Sequence, residues 1–230
     1  MNNNSCDLII PHQMRKIKPT RRSVSGFYAF RGETAIAFES TLERDFLIRK
    51  EFSLHVLDII PQPVQIPFVK NGRTYPYTPD FLVYYRLGNM PYNDYPKPLL
   101  VEVKPRSDIR QHWSEWKSKY SQALHFAKQQ GWDFRIHDES RIRDKSLENI
   151  RFLDRYKRMQ FPFEESELIL ETLNKMGSAP FHYIISRHFM GLYKAEGIAH
   201  LWHLLATRQL DCDISLPLND LTELWVASYD

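Results

Sequence analysis

The order of elements over residues 99 to 137 constrains this chain most. Leu99-Leu100-Val101 opens a run to Lys104 that reads as a strand, and Phe134 to His137 reads as a second. Between them Trp113, Trp116, Tyr120, Leu124 and Ala127 recur at helical spacing. The pattern stops at Gly131, the residue type that best adopts the left-handed conformation ending a helix. Strand, helix and strand in that order pack as an α/β unit with one right-handed crossover. Phe81 to Tyr85 reads as another strand, separated from Leu99 by a loop rich in Pro, Gly and Asn, and antiparallel pairing of these two is the simplest arrangement. Upstream, Val64, Ile66 and Phe68 lead through Asn71-Gly72 into Thr74, Tyr75 and Tyr77, the signature of a two-residue hairpin. Ile36 to Phe52, with Phe38, Leu42, Phe46 and Leu47, predicts an amphipathic helix.

Ser146 to Met159 predicts a further helix, and Phe161-Pro162-Phe163 marks a boundary. Beyond it lie three helix-sized segments, Glu164 to Lys175, Pro180 to Phe189 and Lys194 to Arg208, followed by the β-capable stretches Leu210 to Ile214 and Leu224 to Val226. Three helices and a hairpin are the order of a winged-helix-like, mainly α domain. Charge divides the chain at the same place. Residues 1–160 hold 27 basic and 18 acidic residues, net +9, and residues 161–230 hold 4 and 10, net −6. The expected organisation is a basic arm over 1–31, an α/β domain over 32–160 and a partner-contact domain over 161–230. The positive part suits a polyanion and the negative part a protein. Arg15, Lys16, Lys18, Arg21 and Arg22 in the arm, and Arg106 after the 99–104 strand, are the candidate phosphate contacts. No apolar run is long enough to span a bilayer, the polar N-terminus does not read as a signal peptide, and Cys6 and Cys212 are too distant in sequence to suggest a disulfide scaffold or thiolate site. A cytoplasmic location is expected.

The chemistry concentrates at Pro79-Asp80 and Glu102-Val103-Lys104. Strand periodicity turns Glu102 and Lys104 to one face and Val101 and Val103 to the other. Two carboxylates beside an ammonium suit phosphodiester hydrolysis: oxygen ligands hold Mg²⁺, and the lysine orients water or offsets charge in the transition state. The carbonyl of Val103 could add a ligand. Glu115-Trp116-Lys117 has the same Glu-x-Lys spacing, but on a helix those side chains do not share a face, so it reads as a surface pair. Glu43 supplies a third carboxylate, or caps a helix that begins late, since Ser40-Thr41-Leu42-Glu43 fits a capping box. His200 and His203 read as helix-face residues rather than zinc ligands, and Trp113 and Trp116 as core rather than a nucleic-acid platform.

Together, Ser40-x-Leu42-Glu43-x-x-Phe46, Gln62-Pro63, Thr78-Pro79-Asp80-Phe81-Leu82-Val83 and Val101-Glu102-Val103-Lys104-Pro105 resemble the TnsA endonuclease family within the PD-(D/E)xK nuclease superfamily. The resemblance implies a restriction-endonuclease-like N-terminal core that uses Mg²⁺ or Mn²⁺. It further implies cleavage of the non-transferred strand at the 5′ ends of a cut-and-paste transposon in a bacterial cell. Glu43, Asp80 and Glu102 would be the acidic active-site residues, Lys104 the catalytic lysine, and Asp80, Glu102 and Val103 the metal ligands. Transposon-end DNA, a TnsB-like transposase and a TnsC-like AAA+ ATPase are the implied partners, the ATPase meeting the C-terminal part. Two alternatives remain open from the residues: a stand-alone restriction or repair nuclease, and an architectural DNA-binding subunit whose acidic cluster is structural.

Overall fold

The computed structural model describes residues 10–14, 24–189 and 194–228. The chain divides into two compact units, Met1–Ile142 and Arg143–Asp230. In the first, β1 (Gly26–Phe30) and β2 (Thr34–Phe38) form an antiparallel hairpin ahead of α1 (Thr41–Phe52). There follow β3 (Val56–Pro61), β4 (Ile66–Lys70), β5 (Arg73–Tyr77), β6 (Phe81–Tyr85), β7 (Leu99–Val103), α2 (Arg106–Gln129), β8 (Asp133–His137) and the short α3 (Glu139–Ile142). The main sheet has the order β3-β6-β7-β8, antiparallel except for β7 and β8, which run parallel across the α2 crossover. Among the described residues β4 and β5 pair only with each other, through Asn71 and Gly72 at φ 51° and 72°, the left-handed pair that a two-residue turn matched to strand twist requires.

Alternation along the strands builds the two cores. Phe81, Val83, Val101 and Val103 pack with Leu42, Phe46 and Leu47 of α1, while Leu82 and Leu100 pack on the other face with Tyr120, Ala123 and Ala127 of α2. Three expectations change here. Ile36 and Phe38 belong to β2, and α1 starts only after Ser40, which has an extended backbone and whose side-chain oxygen accepts the Glu43 N–H as an N-cap. Phe38 lies four residues before Leu42, so the helical spacing continues through it by coincidence. The arm as expected included β1, and Arg31 at its end donates to the carbonyls of Val56 at 2.6 Å, Leu57 at 3.2 Å and Ser53 at 3.4 Å, so it serves the fold. Arg15, Lys16, Lys18, Arg21 and Arg22 lie outside the described residues. Finally, α2 starts at Arg106, and its buried stripe runs through Tyr120, Ala123 and Ala127, leaving Trp113 and Leu124 exposed.

The second unit contains α4 (Lys145–Asp154), α5 (Phe163–Met176), β9 (Ala179–Pro180), α6 (Phe181–His188), α7 (Lys194–Ala206), β10 (Leu210–Asp211) and β11 (Glu223–Val226). Its strands form a small antiparallel sheet in the order β10-β11-β9. The division falls ahead of residue 160 because α4 buries Leu147, Ile150 and Leu153 in this unit, and Asn149 Nδ2 donates to the carbonyls of Ile214 at 2.9 Å and Leu216 at 2.7 Å. Counted over the observed units, 1–142 holds 21 basic and 15 acidic residues, net +6, and 143–230 holds 10 and 13, net −3. The asymmetry keeps its sign at reduced size. His200 is fully buried, its Nε2 2.8 Å from Ser166 Oγ and its ring stacked 4.3 Å from Phe161, while His203 Nδ1 meets the Tyr156 carbonyl at 2.9 Å. Among the described residues no helix is long and apolar enough to cross a membrane.

Candidate active site

Register brings the two motifs together. β6 and β7 pair Phe81 with Val101 and Leu82 with Leu100. One step further along the same register Asp80 stands opposite Glu102, and opposite residues of an antiparallel pair share a face. That face is the one of Leu82 and Leu100, so the carboxylates emerge beside α2. Lys104, two residues beyond Glu102, joins them: its Nζ is 3.6 Å from both Asp80 Oδ2 and Glu102 Oε1. Asp80 is fixed from behind. Its Oδ2 accepts the Val103 N–H at 2.7 Å, and its carbonyl accepts the N–H of Gln62 at 2.8 Å. Gln62 is held at φ 46°, a left-handed position unusual for a residue with a Cβ, and its Nε2 donates to Glu39 Oε2 at 3.3 Å.

Glu102 is 2% exposed and fully engaged. The Tyr77 hydroxyl donates to its Oε2 at 2.7 Å, and Lys119 Nζ lies 3.6 Å from Oε1. Burial pushes the Glu102 carboxyl up to about 7, with the charge of Asp80 adding to it and the two lysines opposing. Glu43 is pushed up to about 7 as well, first by burial and then by Asp80. For Lys104 burial opposes the charge, but Asp80, Glu102 and Glu43 together outweigh it and raise the ammonium pKa. Held as a cation, it suits charge compensation better than proton acceptance.

Asp80, Glu102 and Lys104 converge within ion-pair distance, and Glu43, in the first turn of α1, interacts electrostatically with Asp80 and Lys104. Its Oε1 accepts from Ser40 Oγ at 2.9 Å and its Oε2 from the Glu39 N–H at 2.7 Å. Both the capping reading and electrostatic coupling to Asp80 and Lys104 hold for it. Arg106 is exposed in the first turn of α2, its N–H donating to Glu139 Oε2 at 2.8 Å. Asp80, Glu102 and Lys104 share a cleft of 510 Å³ whose walls include Phe68, Lys70, Pro76 and Tyr77 of the β4–β5 hairpin and Glu115, Trp116 and Lys119 of α2. Glu115, of the second Glu-x-Lys triplet, is half exposed and pairs with Lys70 at 2.6 Å. Tyr77 and Lys119 were not among the expected site residues. The available signal was the helical face shared by Trp116, Lys119 and Tyr120, which the strand motif alone does not bring into view.

The donor set fits a hard divalent cation. Among the described residues no group of three or more His, Cys, Asp or Glu side chains is placed to hold an ion. Asp80 and Glu102 present two neighbouring carboxylates, an all-oxygen donor pair that would suit Mg²⁺ completed by water and phosphate. The Val103 N–H donates to Asp80 Oδ2, which sets the Val103 backbone beside that carboxylate. Two buried carboxyls with like charge are also what a dication would relieve.

Residues 53–139 match the family model described as TnsA-like endonuclease N terminal, and residues 141–214 match that described as TnsA endonuclease C terminal. The chain belongs to the TnsA endonuclease family. No curated protein sequence matches it. Membership makes the chain a TnsA-type nuclease, a hydrolase acting on DNA. The two TnsA models meet between residues 139 and 141, close to the division between the compact units at Ile142 and Arg143. The cleft lies wholly within the part matched by the N-terminal model, apart from Glu39 at its edge.

Proposed function

We propose that this TnsA-type nuclease cuts the non-transferred strand at the 5′ ends of a cut-and-paste transposon, with Mg²⁺ or Mn²⁺ held by Asp80, Glu102 and the Val103 carbonyl. The observation that carries the reading is the convergence of Asp80, Glu102 and Lys104 at 3.6 Å in an open cleft. A divalent ion bound there would polarise the phosphate and lower the pKa of the attacking water. The chain's own part is positional and electrostatic. Tyr77 fixes the rotamer of Glu102, the Val103 N–H fixes Asp80, and the Lys104 ammonium offsets charge developing on the phosphoryl oxygens. Glu43 tunes Asp80 and Lys104 from the N-terminus of α1. Arg106 and the arm residues Arg15, Lys16, Lys18, Arg21 and Arg22 track the DNA backbone.

The second unit contacts the partners, a TnsB-like transposase and a TnsC-like AAA+ ATPase. After α4, its order of helix, short strand, two helices and two strands supports a winged-helix-like reading, and the unit's net −3 suits protein over DNA. Strand-resolved mapping of nicks on end-containing DNA with Mg²⁺, with and without the partners, tests the proposal. Nicks are expected at the 5′ ends of the non-transferred strand, and Asp80→Ala and Lys104→Ala are each expected to lose about 10²-fold or more in rate. Cuts on the transferred strand, or partner-independent random cutting, would sink the transposon assignment. Undiminished cutting by Asp80→Ala would remove the site.

A further inference from the structure

We propose that Lys119 is a second phosphate-contacting lysine of the cleavage site, parked on Glu102 until a divalent cation takes that carboxylate and then free to reach the DNA phosphate in the cleft. The inference rests on the nuclease reading above and extends it to a residue outside the motif. Glu102 Oε1 carries two ammonium groups at 3.6 Å, and their situations differ. Lys104 is shared with Asp80 and follows Glu102 on the same strand. Lys119 comes from α2, and among the described residues Glu102 is the only carboxylate within ion-pair distance of it. A cation bound through Glu102 Oε1 repels that ammonium at short range. Lys119 nevertheless has a second holding point: its Nζ lies 4.7 Å from the Trp116 ring centroid and 4.8 Å from those of Tyr77 and Tyr120. Cation–π attraction to three rings keeps a displaced ammonium at the cleft wall. Lys119 is 16% exposed there, and of the other cleft lysines Lys70 is neutralised by Glu115 at 2.6 Å, while Lys104 is already assigned to the phosphoryl oxygens. Once released from Glu102, Lys119 is a second cation, beside Lys104, facing the space that a phosphate would occupy.

Two measurements on the full chain test this. Mn²⁺ binding without DNA is followed by calorimetry at about pH 8.5, where protons compete little for Glu102. Lys119→Met is expected to bind Mn²⁺ about tenfold more tightly, because a competing like charge is gone, and Lys119→Arg to bind as the wild type. A duplex oligonucleotide is then titrated over a range of salt with and without Ca²⁺. With Ca²⁺ the slope of log affinity against log salt is expected to be shallower by about 1 in Lys119→Met than in the wild type, and without Ca²⁺ the slopes coincide. A merely structural role for Lys119 predicts weaker or unchanged Mn²⁺ binding, and that result overturns the inference; so do equal slopes with Ca²⁺. Mn²⁺ binding that survives in Asp80→Asn overturns the nuclease site itself, a separate failure. If Lys119→Met loses its far-ultraviolet circular dichroism, Lys119→Gln carries the same comparisons.

Discussion

Glu43 shows how one side chain can serve the fold and the chemistry at once, and how the two can be separated. Its carboxylate accepts from Ser40 Oγ and the Glu39 N–H, and burial makes its ionised form unfavourable near neutrality. A glutamine can still accept from the Glu39 N–H and meet Ser40 with its amide. Glu43→Gln should therefore hold stability within about 1 kcal/mol of the wild type in urea titrations, whereas Glu43→Ala should lose about 1 kcal/mol or more with the cap. If cleavage falls in both, Glu43 acts through charge; retained cleavage in Glu43→Gln would confine it to capping. Tyr77 offers the matching test at Glu102. Its hydroxyl stabilises the ionised carboxyl, so Tyr77→Phe raises a pKa already near 7. The ionised form is the one that holds a metal and it is lost as pH falls, so the acid limb of the pH–rate profile should move to higher pH in Tyr77→Phe. An unmoved limb would mean that Glu102 does not control it.

Among the elements, α2 matters most to the site, because it delivers Trp116, Lys119 and Tyr120 to a motif that lies on strands. It sits close to the sheet through Ala123 and Ala127, both fully buried against the face of Leu82 and Leu100. Ala123→Leu overfills that contact, and the expected cost is about 1–3 kcal/mol, read as a lower urea midpoint with unchanged slope. The shift of α2 should also lower cleavage more than a surface change such as Leu124→Ala. The same packing explains what could be read from sequence. Asp80, Glu102 and Lys104 were legible because a strand's parity and one register relation place all three. Tyr77 and Lys119 were not, because their approach depends on a hairpin and a helix packing together, which no local pattern encodes. β3 went unread amid Pro61 and Pro63, and β1 and β2 were absorbed into the arm and the helix because Phe38 matches the period of α1. The Ser40 cap was visible, and it marked the true start of that helix.

For the whole molecule, the two units should answer acid differently. In the first, Glu43 and Glu102 have folded pKa values near 7 against 4.5 unfolded, so the stability they contribute is full below pH 4.5 and is lost as pH rises through 7. His137, pushed down to about 4 by burial and by Lys50 and Arg141, contributes stability that is present above pH 6.5 and lost as pH falls through 4. Of these three groups two gain and one loses on acidification, while Glu115 and Asp138, both held below their ordinary values, lose only near and below the ordinary carboxylate range. In the second unit His200, pushed down to about 4 by burial and then by His203, and His188, lowered by burial and Arg187, both fall on the losing side. His200 is enclosed by Ser166 and Phe161, and this burial opposes its protonation although Glu165 Oε2, 3.7 Å from Nδ1, favours it. Acidification from about pH 6.5 to 4.5 without divalent cations should thus loosen the second unit first. Hydrogen exchange on the full chain, corrected for intrinsic rates, should show protection at Leu201, Leu204 and Leu205 of α7 falling while that at Leu82 and Leu100 of the sheet holds. Equal loss in both, or earlier loss in the sheet, would show that the buried carboxyls and histidines do not govern the acid response.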